Sequence, residues 1–126
     1  MSRGVDICRS SAYTRSVRKQ SMQEPTFLIL TALAARAQHG YGIMTDVARI
    51  SDGRVRLRAG TLYAALDRLK ADGLVTSDKD EVVDGRLRRY YRITDEGAEE
   101  LAAEVDRLRA NAAVAASRLG LAGGTA

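Results

Sequence analysis

The stretch that decides the fold runs Arg58-Ala59-Gly60-Thr61-Leu62-Tyr63-Ala64-Ala65-Leu66-Asp67-Arg68-Leu69-Lys70-Ala71-Asp72-Gly73-Leu74-Val75. Leu62, Leu66 and Leu69 recur at spacings of four and three, which predicts a helix with one apolar stripe. Gly60, Thr61, Ala64, Arg68 and Ala71 project from the opposite side. Short side chains near a helix start let the backbone approach DNA closely, and Thr, Tyr and Arg supply donors for phosphates and base edges. Gly73 stands where a left-handed cap ends such a helix. An ordinary amphipathic surface helix has the same period, so its neighbours decide between the two readings.

Upstream, Pro25 suits a first helical turn, and Phe27, Leu28, Leu30, Ala32, Leu33 and Ala34 are apolar almost all round, which predicts a helix central to the core. His39-Gly40-Tyr41-Gly42 punctuates the chain, with His39 at a helix terminus. Ile43, Val47 and Ile50 then mark a short second helix ended by Ser51-Asp52-Gly53. Downstream, Leu74 to Ser77 and Arg86 to Thr94 read as two strands of a hairpin, separated by Asp78 to Gly85 with a turn signal at Asp84-Gly85. Leu87, Tyr91 and Ile93 alternate with Arg86, Arg88, Tyr90 and Arg92, so one side is expected to pack and the other to present cations.

Thr94 is a good N-cap, and Asp95 and Glu96 suit the positive end of a last helix. Along it Ala98, Leu101, Val105, Leu108, Ala112, Ala115 and Leu119 alternate spacings of three and four, a heptad seam that needs a partner helix. The acidic residues Asp95, Glu96, Glu99, Glu100, Glu104 and Asp106 are expected on its solvated face. A homodimer paired through this seam is the economical reading. The expected organisation is a basic arm without order over 1–21, a winged helix-turn-helix over 22–94, a dimerisation helix over 95–119 and a tail over 120–126.

The 126 residues suit one modest core and leave no room for a separate catalytic domain. No run is apolar enough to span a membrane, residues 1–21 lack the apolar centre of a secretory signal, and the single cysteine, Cys8, makes no internal disulfide. These features predict a cytoplasmic protein with no membrane partner. The net charge of +4 resides in residues 1–21, which hold five basic residues against Asp6, while the remainder balances at fifteen of each sign. A nucleic-acid reading therefore rests on two local clusters, Arg49, Arg54, Arg56 and Arg58 ahead of the deciding helix, and Arg86, Arg88, Arg89 and Arg92 in the hairpin. The neutral balance of the remainder supports the alternative, a winged-helix module that binds a protein and no DNA. Nothing in the sequence assembles a catalytic site: His39 has no second imidazole or thiolate at metal-ligand spacing, and Gly40 and Gly42 do not make a phosphate-binding fingerprint. No enzyme, metal or cofactor is expected.

Phe27-Leu28-Ile29-Leu30, His39-Gly40-Tyr41-Gly42-Ile43, Gly60-Thr61-Leu62-Tyr63 followed by Leu66, Arg68-Leu69 and Gly73-Leu74-Val75, then Arg89-Tyr90-Tyr91-Arg92-Ile93-Thr94 and Gly97 stand in order along the chain. Together they closely resemble the PadR family of bacterial transcription regulators, over Met22 to about Leu119. The likeness is to the short subgroup with a single C-terminal helix. It implies a mainly α fold with a small β-hairpin, a winged helix-turn-helix dimer on double-stranded operator DNA, and usually a repressor, often of its own operon. The family's DNA contacts carry over to Thr61 and Tyr63 with Arg68 on the outer face, to Arg86 and Arg88 of the wing, and to Tyr41 at the second helix start. Arg58, in the basic cluster before the reading helix, joins them as a DNA-binding candidate. Some members bind flat aromatic compounds between the terminal helices. This chain has no Trp and places Leu101, Val105 and Leu108 there, which implies a small apolar effector or none.

Overall fold

A computed structural model describes residues 22–121; the arm expected over 1–21 and the last five residues of the expected tail lie outside the described residues. The elements are α1 (Glu24–Ala35), β1 (Gln38–His39), α2 (Gly40–Ile50), α3 (Ala59–Ala71), β2 (Val75–Val83), β3 (Arg86–Ile93) and α4 (Asp95–Leu119). The chain is a winged helix-turn-helix, mainly α with a small antiparallel sheet of order β1-β3-β2. Met22–Leu101 forms one compact unit, and a second begins at Ala102, inside α4.

In the first unit, Leu28, Ile29, Leu30, Ala32 and Leu33 of α1 lie against Ile43 and Val47 of α2 and Leu62, Ala65, Leu66 and Leu69 of α3. Leu74, Val75, Tyr91 and Leu101 complete the core. The stripe expected of α3 is thus fully used, at a gain of roughly 1.5–3 kcal/mol for each large apolar side chain removed from water. Ile50, expected on the packing face of α2, is exposed in its last turn.

Two features of the sheet differ from expectation. The strand β1, which pairs Gln38 with Tyr91 and His39 with Tyr90, has no counterpart in the sequence reading because two residues are too few to show a period. The segment Asp78–Val83, expected as loop, extends β2, with a bulge between Ser77 and Asp80 and a two-residue turn at Asp84 (φ 53) and Gly85 (φ 76). Positive φ at both turn residues is the geometry that suits the right-handed twist of a hairpin. The polar run Asp78-Lys79-Asp80-Glu81 has no strand-like apolarity. Its place in the ladder is supported across the strands, where Asp78 pairs with Arg92 (3.6 Å), Asp80 with Arg89 (3.7 Å), and Glu81 accepts from the Tyr90 hydroxyl (2.8 Å). Leu87, expected to pack, is 60% exposed, because the lengthened wing carries it beyond the core. Arg89 shares the parity of the packing side and is exposed as well.

Candidate nucleic-acid interface

The deciding helix is held at both ends. At its start the Leu62 amide donates to the Arg58 carbonyl (2.9 Å). At its end the Leu74 amide reaches back to the Leu69 carbonyl (2.9 Å) and the Gly73 amide to Lys70 (3.0 Å), with Gly73 at φ +79. This is the pair of bonds that satisfies the last carbonyls of a helix closed by a left-handed residue. The same carbonyl corner anchors α4. The Thr94 hydroxyl donates to the Gly73 carbonyl (2.7 Å) and accepts from the Gly97 amide (3.0 Å), capping α4, while the Thr94 amide donates to the Leu74 carbonyl (3.0 Å). The approach is so close that a Cβ on Gly97 would stand 2.1 Å from the Leu74 carbonyl oxygen.

With its ends fixed, α3 turns Gly60, Thr61, Ala64, Asp67, Arg68 and Ala71 to the surface. Thr61, Ala64 and Arg68 border a shallow groove of about 400 Å³ with Pro25 and Thr26 at the start of α1. Tyr63 is placed differently. A Cβ on Gly40 would lie 2.2 Å from the Tyr63 hydroxyl, so this side chain crosses from α3 to the first turn of α2 and leaves only part of its ring exposed. It borders a second groove, of about 660 Å³, shared with Tyr41, His39, Arg86 and Arg88 between the helices and the wing. Tyr41, the second residue of α2, is 71% exposed. Arg58 lines neither groove and is exposed ahead of α3.

The two arginine clusters divide in the same way. Ahead of α3, Arg49 pairs with Asp46 (2.5 Å) and Arg54 with Glu24 (2.9 Å), while Arg56 and Arg58 form no ion pair among the described residues. In the wing, Arg89 and Arg92 are engaged by Asp80 and Asp78, while Arg86 and Arg88 form none. Arg56, which the sequence reading did not single out as a contact, thus has the same status as Arg58. The pairing partner could not be foreseen, since Glu24 lies 30 residues from Arg54.

Two titratable groups lie beneath this surface. Burial disfavours the charged Asp46 carboxylate, but hydrogen bonds from Gln38 (3.2 Å) and Arg49, with the charges of Arg49 and Arg36, outweigh that and hold it below the usual carboxylate range. Gln38 also donates to the Ala32 carbonyl (2.9 Å), so the network ties α1, β1 and α2 together. His39 caps α2 by accepting the Gly42 amide at Nδ1 (3.2 Å), and burial with the nearby Arg88 charge lowers its pKa against the opposing pull of Glu81. Among the described residues no cluster of His, Cys, Asp and Glu that could hold a metal ion occurs, and no helix is long and apolar enough to cross a membrane.

Of the expected seam, Leu101 is buried in the core of the first unit. In the second, Val105 is half-buried, Ala112 and Ala115 are exposed, and Leu108 and Leu119 are 42% and 72% exposed. Glu104, expected on the solvated face, is buried and ion-paired with Arg107 one turn later, which neutralises a charge that would be costly to bury alone.

The arrangement defines a winged-helix nucleic-acid-binding fold. The model of the transcriptional regulator PadR-like family matches residues 29–103, and the chain belongs to that family. It is 41% identical to the transcriptional regulator Rv3488 of Mycobacterium tuberculosis over 87 residues, which are 61% of this chain and 78% of that protein. Its fold is similar to that of a PadR family transcription regulator from Clostridium difficile R20291, with TM-score 0.65, 28% identity, and 77% of this chain and 99% of that one covered. Bacillus subtilis PadR, solved in complex with operator DNA, has the same fold at TM-score 0.57 and 21% identity, over 64% of this chain and 45% of that one. The chain is accordingly a transcriptional regulator, the role that the family's description and the Mycobacterium tuberculosis relative's name both state.

Proposed function

We propose that this regulator is a sequence-specific, cytoplasmic homodimer that acts as a repressor of its own or a neighbouring operon. In this reading α3 lies in the major groove of operator DNA, where Thr61 and Arg68 face base edges and Tyr63 flanks them from the shelf of α2. Tyr41, Arg58, Arg86 and Arg88 contact phosphates on either side. The observation that carries the reading is the division of the arginine clusters. Among the described residues, two members on each side of α3 are engaged by carboxylates and two are not. Cations with no carboxylate partner among the described residues are those available to displace counterions from a duplex. The DNA complex of the similarly folded Bacillus subtilis PadR is consistent with this use of the fold. Two copies joined along Val105, Leu108, Ala112, Ala115 and Leu119, the members of the seam that the core does not take up, would present two reading helices to an operator with twofold symmetry. A small apolar effector that releases DNA fits the aliphatic character of that seam, and a thermal-shift screen with hydrophobic compounds checks it.

Fluorescence anisotropy with the chain's own upstream DNA, at several salt concentrations and with nonspecific competitor, tests the central claim. The Arg86→Ala, Arg88→Ala double variant is expected to bind more weakly and to lower the slope of log K against log salt by about two. Equal affinity and slope would remove the wing from the interface. Absence of DNA binding by the wild type, with retention of a protein partner, would favour a protein-interaction module.

A further inference from the structure

Gly40, the first residue of α2, is buried, and its φ lies outside the left-handed region, so backbone conformation does not call for glycine there. Sterics do. A Cβ at this position would stand 2.2 Å from the Tyr63 hydroxyl, 2.7 Å from Cζ and 3.3 Å from Cε1, so the far end of the phenol ring lies against the bare Cα of Gly40. The same ring meets Tyr91 of β3, with centroids 6.5 Å apart and planes tilted by 53°. Tyr91 belongs to the core and stands opposite Gln38 in the ladder, two residues before Gly40. Tyr63 thus joins α3 to the start of α2 and to β3, while 42% of it stays exposed on the groove shared with Tyr41, Arg86 and Arg88.

The stripe of Leu62, Leu66 and Leu69 holds α3 to the core, but apolar contact is non-directional and leaves small rotations of the helix unopposed. Tyr63 follows Leu62 by about 100° round the helix, at the margin of that stripe, where a rigid ring opposes rotation. We propose that Gly40 and Tyr63 are positioning residues for sequence discrimination: the bare Cα of Gly40 seats the ring, and the seated ring fixes the rotation of α3 at which Thr61 and Arg68 reach base edges. The role rests on the DNA-binding reading above, but the seat itself does not. Base-edge hydrogen bonds need separations of about 2.7–3.2 Å, so a rotation that carries side-chain ends by an ångström breaks them. Phosphate contacts from Arg58, Arg86 and Arg88 carry no sequence information and follow such a displacement. The ring suffices for the seat, because Cζ and Cε1 occupy the space without the hydroxyl.

The probe is the chain's own upstream DNA, with nonspecific DNA beside it. Gly40→Ala should lower affinity for the upstream DNA about tenfold, while affinity for nonspecific DNA and the slope of log K against log salt stay as in the wild type. In a Tyr63→Ala background the same change should cost nothing further, because the ring it displaces is gone. Tyr63→Phe should recover most of the affinity lost in Tyr63→Ala. An equal loss from Gly40→Ala in both backgrounds overturns the proposal. So does a loss in Tyr63→Phe as large as in Tyr63→Ala, which would make the hydroxyl a DNA contact in its own right. A shallower salt slope in Gly40→Ala assigns the loss to phosphates and overturns it too. Circular dichroism checks folding, and the two Tyr63 variants decide by themselves if Gly40→Ala does not fold. If the wild type binds no DNA, the functional reading fails and the role with it, and proton NMR then judges the seat alone. The ring current of Tyr63 should displace the Gly40 Hα resonances in the wild type and in Tyr63→Phe but not in Tyr63→Ala, and resonances alike in all three refute the seat.

Discussion

The helices α3 and α4 carry the same arithmetic of leucines and small residues, yet the chain treats them in opposite ways. In α3 the stripe Leu62, Leu66 and Leu69 is sealed, and the small and charged residues are what the surface presents. In α4 only Leu101 is sealed, and from Leu108 to Leu119 the apolar residues themselves are presented. A period of three and four states that a helix has an apolar face and says nothing about whether its own chain covers it. The covered face belongs to folding, and the uncovered one is left exposed by this chain.

The difference can be broken most strongly at Leu66. Leu66→Ala opens a cavity at a fully buried position and is expected to cost about 3 kcal/mol, read from urea unfolding. A loss under about 1 kcal/mol would mean that α3 is not sealed in solution.

A smaller effect is expected where the support of the helix-turn-helix is polar. Asp46→Ala removes the acceptor for Gln38 and Arg49 and should cost about 1–2 kcal/mol near pH 7. Because the carboxyl of Asp46 is held below its unfolded value, its contribution is present above the unfolded pKa and is lost as pH falls through the folded one. The gap between wild type and Asp46→Ala should therefore close in acid. A gap that does not change with pH would assign the cost to packing.

The smallest effect on the fold, and the largest on assembly, is expected in α4. Leu108→Lys places a charge on an exposed seam position, so its circular dichroism spectrum should match that of the wild type while sedimentation shifts from dimer toward monomer. A dimer that survives Leu108→Lys puts the pairing surface elsewhere.

Much of the fold was legible in the residues. Wherever apolar side chains recur over several turns, as in α1, α3 and α4, or a special conformation demands glycine, as at Gly73 and Gly85, a local rule has one reading. The wing shows where such rules stop. Asp78–Val83 forms a strand without strand-like apolarity, supported by partners nine to fourteen residues away in sequence. Leu87 kept the alternation of a packing residue with nothing beneath it. Among the candidate contacts, Thr61 and Arg68 could be placed from helical period alone. Tyr63 could not, because its position depends on the absence of a side chain at Gly40.

By itself, the sequence determined the helix-turn-helix with its hairpin, the outward face of α3 and the apolar period of α4, because each follows from periodicity and turn chemistry within a few residues. Only the tertiary structure decided which cations are engaged within the fold. Arg49 and Arg54, Arg56 and Arg58 are alike as a sequence, as are Arg86, Arg88, Arg89 and Arg92. Charge acts through distance in space, and it was folding that brought Glu24 to Arg54, Asp80 to Arg89 and His39 to Arg88.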